Sequence, residues 1–184
     1  MKLLAALREA VEGWRQIILG LPNWRDHFTL SRQGLLHAFG VYFGLLVIVL
    51  AIQSGLWAVT DPLVLLIGLL FYSLPVIGFG LSVLLTASVL RWQVQMVAAL
   101  VPGVYALGLL LMSQVLLSLI SPSLVILAYI ALAFLMFRAG RVVAQMGVSS
   151  SIAFAVLTVA LLVLPAQTLY MLAVAQSGPI GPSS

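Results

Sequence analysis

A chain of 184 residues that is 64% hydrophobic and 7% charged, with no cysteine, lies far from the roughly 25% charge of a soluble domain. So few ionisable groups cannot cover a water-exposed surface of this size, and the bulk solvent is therefore lipid. The composition also excludes disulfides and thiolate chemistry, and the net charge of +4 is dispersed along the chain, which argues against nucleic-acid binding.

The N-terminal segment spaces Leu4, Leu7, Val11, Trp14, Ile18 and Leu21 three and four apart, predicting an amphipathic helix with one apolar stripe. Lys2, Arg8, Glu9, Glu12, Arg15 and Gln16 fall largely off it, with Arg8–Glu12 and Glu12–Arg15 in ion-pair register. The expectation is a helix lying in the headgroup layer with Trp14 as interfacial anchor. The rival is a helix docked on a partner or on the chain's own membrane face. The apolar run Leu3 to Leu7 is too short for the core of a secretory leader, and Arg8 and Glu9 follow at once.

Gly20, Pro22 and Asn23 end this helix, and residues 1–33 form an amphipathic helix and hinge. Residues 34–176 then predict an all-α bundle of five transmembrane helices at about 34–57, 63–89, 94–119, 123–137 and 152–175. Asp61-Pro62 starts the second, with Asp61 as cap and Pro62 at the first helical position. The long uncharged interval from Arg91 to Arg138 needs two crossings, and Ser121-Pro122-Ser123 marks the reversal. The fourth helix continues past Arg138 and Arg141 into the headgroup layer, and Gly147 with Ser149 to Ser151 separates it from the fifth. Residues 177–184 read as a flexible external tail.

Lys2, Arg8, Arg15, Arg25, Arg32, Arg91, Arg138 and Arg141 all fall on one side of this layout, and Asp61 on the other. The positive-inside rule places the N-terminus in the cytoplasm and the C-terminus outside in a multi-pass membrane protein, and the expected location is a bacterial inner membrane.

The spans contain no Asp, Glu, Lys or Arg, the groups that ion-coupled transport uses. His37 sits near the start of the first span and reads as an interfacial histidine. Asp26, His27 and His37 match no metal-ligand spacing. No serine elbow and no glycine-rich phosphate loop occurs, so neither an enzyme nor a cofactor is expected.

Gln53, Gln114 and Gln167 lie at depth and read as interhelical hydrogen-bonding groups or, alternatively, as the lining of a polar cavity. Small residues make a clearer pattern. Gly40, Gly44, Ala51 and Gly55 give the first span a flat seam, and Gly78, Ser82 and Thr86 give the second a ridge. The simplest structure pairs these two faces; a homodimer through the first seam is the alternative. Pro75, Pro102 and Pro165 each interrupt a span.

The lead-in LGLPNWRDHFTLSR, the stretch QMVAALVP from Gln95 to Pro102, and Gly147-Val148-Ser149 with Ala153 resemble the YIP family of five-span membrane proteins, in its bacterial branch. The signature segments of the eukaryotic members have no counterpart here. The resemblance implies an integral membrane protein without assigned enzymatic activity.

The expected function is membrane organisation, or binding of lipids and of another membrane protein, through the cytoplasmic face. Arg25, Arg32, Arg91, Arg138 and Arg141 are the candidate contacts to anionic headgroups. The alternative is a small permease, or a transporter subunit, for a neutral polar molecule.

Overall fold

A computed structural model describes residues 2–57, 61–90 and 96–176, and among them every regular element is helical. Helix α1 spans Lys2–Leu19, and a 3-10 helix at Pro22–His27 leads into α2 at Arg32–Trp57. Then follow α3 at Pro62–Leu90, α4 at Met96–Ile120, α5 at Val125–Val142 and α6 at Val148–Gln176. Helices α2 to α6 are long and apolar enough to cross a membrane. The chain is a multi-pass membrane protein. Residues 177–184, Arg91 and Gln95 lie outside the described residues.

Local chemistry sets the helix ends. Gly20 takes a positive φ of 75° and ends α1 with two bonds, Leu21 N to Gln16 O at 3.0 Å and Gly20 N to Ile17 O at 3.1 Å, the Schellman arrangement that favours glycine. Ser31 caps α2 by accepting from Gly34 N at 3.1 Å. Asp61 caps α3 as expected, its Oδ1 accepting from Leu63 N at 2.9 Å. Ser149 to Ser151 do not separate the last two helices. They lie inside the first turn of α6, and Arg141 donates to Met146 O at 2.6 Å to hold the preceding loop.

Helix α4 is the hub, in contact with α1, α2, α3 and α5, while α6 packs against α3 and α5. Its small residues explain why. The ring of Phe79 from α3 lies directly over Gly103, where any side chain would collide, and Leu45 from α2 lies 3.1 Å from the place a side chain on Gly108 would occupy. A residue without a Cβ lets a neighbour's bulk enter the helix surface.

This packing overturns the expected pairing of the small-residue faces of α2 and α3. Gly78 meets α6, with the Leu161 carbonyl 2.6 Å from the position of an added Cβ. Ser82 is fully buried and bonds Thr158 of α6 at 2.9 Å. Gly40, Gly44 and Gly55 have nothing within 4 Å of that position, and Ala51 is exposed. The physical reason is that α2 turns its bulky face, Val41, Tyr42, Leu45, Leu46 and Val49, into the core. The buried apolar area lies there, and α4 supplies the small partner.

Candidate functional site

The end of the bundle that carries α1 gathers most of the polar chemistry. Going round α1 at 3.6 residues per turn, three sectors appear. Ala6, Leu7, Ala10, Gly13, Trp14 and Ile17 form the sector against the bundle, with Ala10, Trp14 and Ile17 at most 2% exposed. Beside it, Leu4, Val11 and Ile18 are 73%, 51% and 38% exposed, flanked by the exposed Arg8 and Arg15. Glu9, Glu12 and Gln16 occupy the third.

The predicted apolar stripe is therefore split. Leu7 and Trp14 turn inward, and Leu4, Val11 and Ile18 stay outside. Trp14 is no interfacial anchor: its indole N–H donates to Pro102 O on α4 at 3.0 Å in a buried site. Docking on the chain's own bundle is what the inward sector does, because Ala10 and Gly13 are small enough to let α1 approach closely. The Phe28 ring lies against Gly13 where a side chain would collide.

Arg138 completes the docking. Its guanidinium donates to Ile17 O at 3.2 Å, at the C-terminal turn of α1, where the helix carbonyls concentrate negative charge and the last turn of α1 holds no basic residue. Its Nε is buried and has no hydrogen-bond partner among the described residues. Arg138 is thus committed to α1 rather than to headgroups. Among the other expected headgroup contacts, Arg25 stacks over the Trp24 ring at 5.4 Å. Arg32 and Arg141 are exposed, though Arg141 also holds its loop, and Arg91 lies outside the described residues.

Between α1, the 3-10 helix, α2 and α4 is a pocket of about 380 Å³ lined by Ala6, Glu9, Asp26, His27, Phe28, Thr29, Gln33, Gly34, His37, Val101 and Tyr105. The tight turn that builds its wall needs Gly34, because a side chain there would strike the Thr29 carbonyl. His27 Nδ1 lies 3.7 Å from Glu9 Oε2, and Phe28 and Tyr105 stack with centroids 5.9 Å apart. Sequence spacing missed this pocket because Glu9, His37 and Tyr105 are distant in the chain. The one signal was that both histidines fall at the junction of the amphipathic helix with the first span, His27 before it and His37 near its start.

The three glutamines do not form one cavity. Gln53 bonds the Tyr72 hydroxyl at 2.8 Å, and Tyr42 donates to Tyr72 O at 2.6 Å, beside the backbone that Pro75 interrupts. Gln114 is half-buried near Tyr129 of α5, while Gln167 is exposed on α6. Gln53 is satisfied by a tyrosine of the neighbouring helix, which is how amides are accommodated in a bilayer. Among the described residues, no group of three or more His, Asp or Glu is placed to hold a metal ion.

Family models, curated proteins and solved structures were compared with the chain, and none matches.

Proposed function

We propose that the protein is a non-enzymatic, membrane-organising protein of YIP-like type that binds lipid, and through it a membrane partner, at the cytoplasmic face of a bacterial inner membrane. The observation that carries the reading is the sector order on α1. The apolar side chains Leu4, Val11 and Ile18 adjoin the docked sector, Arg8 and Arg15 come next, and the acidic residues are furthest round. A helix packed against a bundle and half-sunk in headgroups needs this order: acyl-facing residues next to the protein, arginines at phosphate level, carboxylates toward water. Arg32 and Arg141 extend the positive belt. Each such residue attracts an anionic surface by about 1 kcal/mol.

The test uses the full-length protein in nanodiscs of mixed choline and anionic phospholipid, with co-purifying lipid counted by mass spectrometry after detergent extraction. Anionic lipid is expected to be enriched over the bulk ratio, and Arg8→Gln with Arg15→Gln to abolish the enrichment. Unbiased lipid around the unaltered protein would overturn the reading. The permease alternative has less to support it, because Gln53 is taken up by Tyr72 and Gln167 is exposed on α6.

A further inference from the structure

We propose that α3 is a two-part helix hinged at Pro75. Its half far from α1, residues 62–74, swings against α2, while its near half, residues 76–90, stays fixed in the bundle. The proposal goes beyond lipid binding by the exposed sector of α1 and does not depend on it, because the residues involved are different.

Packing divides the helix at the proline. Every buried residue of α3 lies after it: Gly78, Phe79, Ser82, Val83, Thr86 and Ala87. Gly78 sits against the Leu161 carbonyl, Phe79 covers Gly103 and Ser82 bonds Thr158, so close backbone approaches key this half into α4 and α6. Residues 62–74 include none that is buried. Leu63, Leu66, Ile67 and Leu70 are each more than half exposed, and of the hydrophobic side chains in this half only Leu69 and Tyr72 pack on the core. A segment with so few buried contacts is where local motion costs least.

Pro75 supplies the joint. It has no N–H for the Phe71 carbonyl one turn earlier, so the backbone bond that would stiffen the helix at this level is missing. The latch is polar and comes from α2. The Tyr42 hydroxyl donates to the adjacent carbonyl, Tyr72 O, at 2.6 Å, and the Tyr72 hydroxyl pairs with the Gln53 amide at 2.8 and 3.2 Å. Both ties reach the far half within a turn of the joint, where a short lever resists swinging least.

Beyond the latch there is room to move. A groove of about 490 Å³ separates Leu50, Ala51 and Ser54 of α2 from Leu65, Leu66 and Leu69 of α3. Inward motion closes this space until Leu50 meets Gly68, which it already approaches, and outward motion meets only lipid. From Pro75 to Leu63 the lever is about 18 Å at the rise of an α-helix. A change of about 20° in a proline kink therefore moves the far end by roughly 6 Å.

The chain has no cysteine, so spin-label pairs are introduced without background and their distances measured by pulsed dipolar spectroscopy on the full-length protein in nanodiscs. Leu63→Cys with Leu119→Cys reports the far half against the corresponding end of α4, and Leu84→Cys with Leu119→Cys reports the near half; all three positions are exposed. The first pair is expected to give two populations separated by roughly 6 Å, and the second a single narrow one. Tyr42→Phe with Gln53→Leu removes the latch and keeps the bulk at both positions. It is expected to shift the first pair toward the longer distance by about tenfold in population ratio, at about threefold for each bond lost within a membrane. Pro75→Ala restores the missing backbone donor and is expected to leave one population. The second pair, measured in each variant, shows that the bundle is intact. The hinge is overturned if the two pairs are equally narrow in the unaltered protein, if removing the latch leaves the ratio unchanged, or if Pro75→Ala leaves both populations in place. None of these residues belongs to α1, so failure here leaves the lipid reading standing, and the reverse holds.

Discussion

Gly44 and Gly78 look alike in sequence, each a glycine in a helix with small neighbours three or four residues away, yet they occupy opposite situations. An added methyl at Gly78 would sit 2.6 Å from the Leu161 carbonyl of α6. Backbone cannot move aside cheaply in a packed interface, so Gly78→Ala is expected to destabilise by about 1–3 kcal/mol. At Gly44 nothing lies within 4 Å, and replacing a mid-helix glycine with alanine removes an entropic cost of roughly 0.5–1 kcal/mol. Gly44→Ala should therefore be neutral or mildly stabilising. Unfolding midpoints of the two purified variants in one detergent decide the matter, and shifts of the same sign would contradict the packing described for α3 and α6. The spacing of small residues was legible, but which of two such faces the bundle would use was not. That choice depends on where bulky residues have to go, and on α2 they cluster on the opposite side as Val41, Tyr42, Leu45, Leu46 and Val49.

At the scale of the element, α1 shows how far periodicity reaches. Its apolar residues cover more than half of its circumference, so a single stripe through Leu4, Val11 and Trp14 described the helix without saying which half would dock. Ala10, Gly13 and Ile17 decided it, because small residues beside large ones make the groove that accepts Phe28 and the bundle. The long helices were easier. Twenty or more apolar residues bounded by charge or proline have no soluble alternative, and five helices of that length and composition follow the short N-terminal one. Two long-range bonds hold α1: Trp14 to Pro102 and Arg138 to Ile17. Removing the first with Trp14→Phe costs about 1 kcal/mol as a lost hydrogen bond. Removing the second with Arg138→Met costs a comparable amount through the uncompensated helix end. Together they are expected to release α1 without unfolding the span bundle. Limited proteolysis should then cut near Gly20 several times faster than in the unaltered protein, while the fragment containing α2 to α6 stays intact. Cleavage at an unchanged rate would show that the apolar contacts of Ala10 and Ile17 alone fix the helix.

For the whole molecule, the arrangement of charge is as informative as the fold. Arg8, Arg15, Arg25, Arg32, Arg138 and Arg141 belong to the end of the bundle that carries α1, and Asp61 stands at the other, before α3. Five crossings, one for each helix long and apolar enough to span, would put the start of α2 and the end of α6 on opposite sides of the membrane. Because arginine near a span resists translocation while aspartate scarcely does, the α1 end is expected in the cytoplasm. The docked cap keeps these charges together. Arg138 is tied to α1 and Arg141 to the loop before α6, so the fourth crossing cannot invert without abandoning both contacts. A reporter active only outside the cytoplasm, fused after α6, should be active, and the same reporter fused between α3 and α4 should be silent. Neutralising Arg25 and Arg32 together should leave that pattern unchanged, since Arg138 and Arg141 still hold the far half of the chain. If those two replacements alone inverted the protein, the orientation would depend on the hinge charges and not on the cap as a unit.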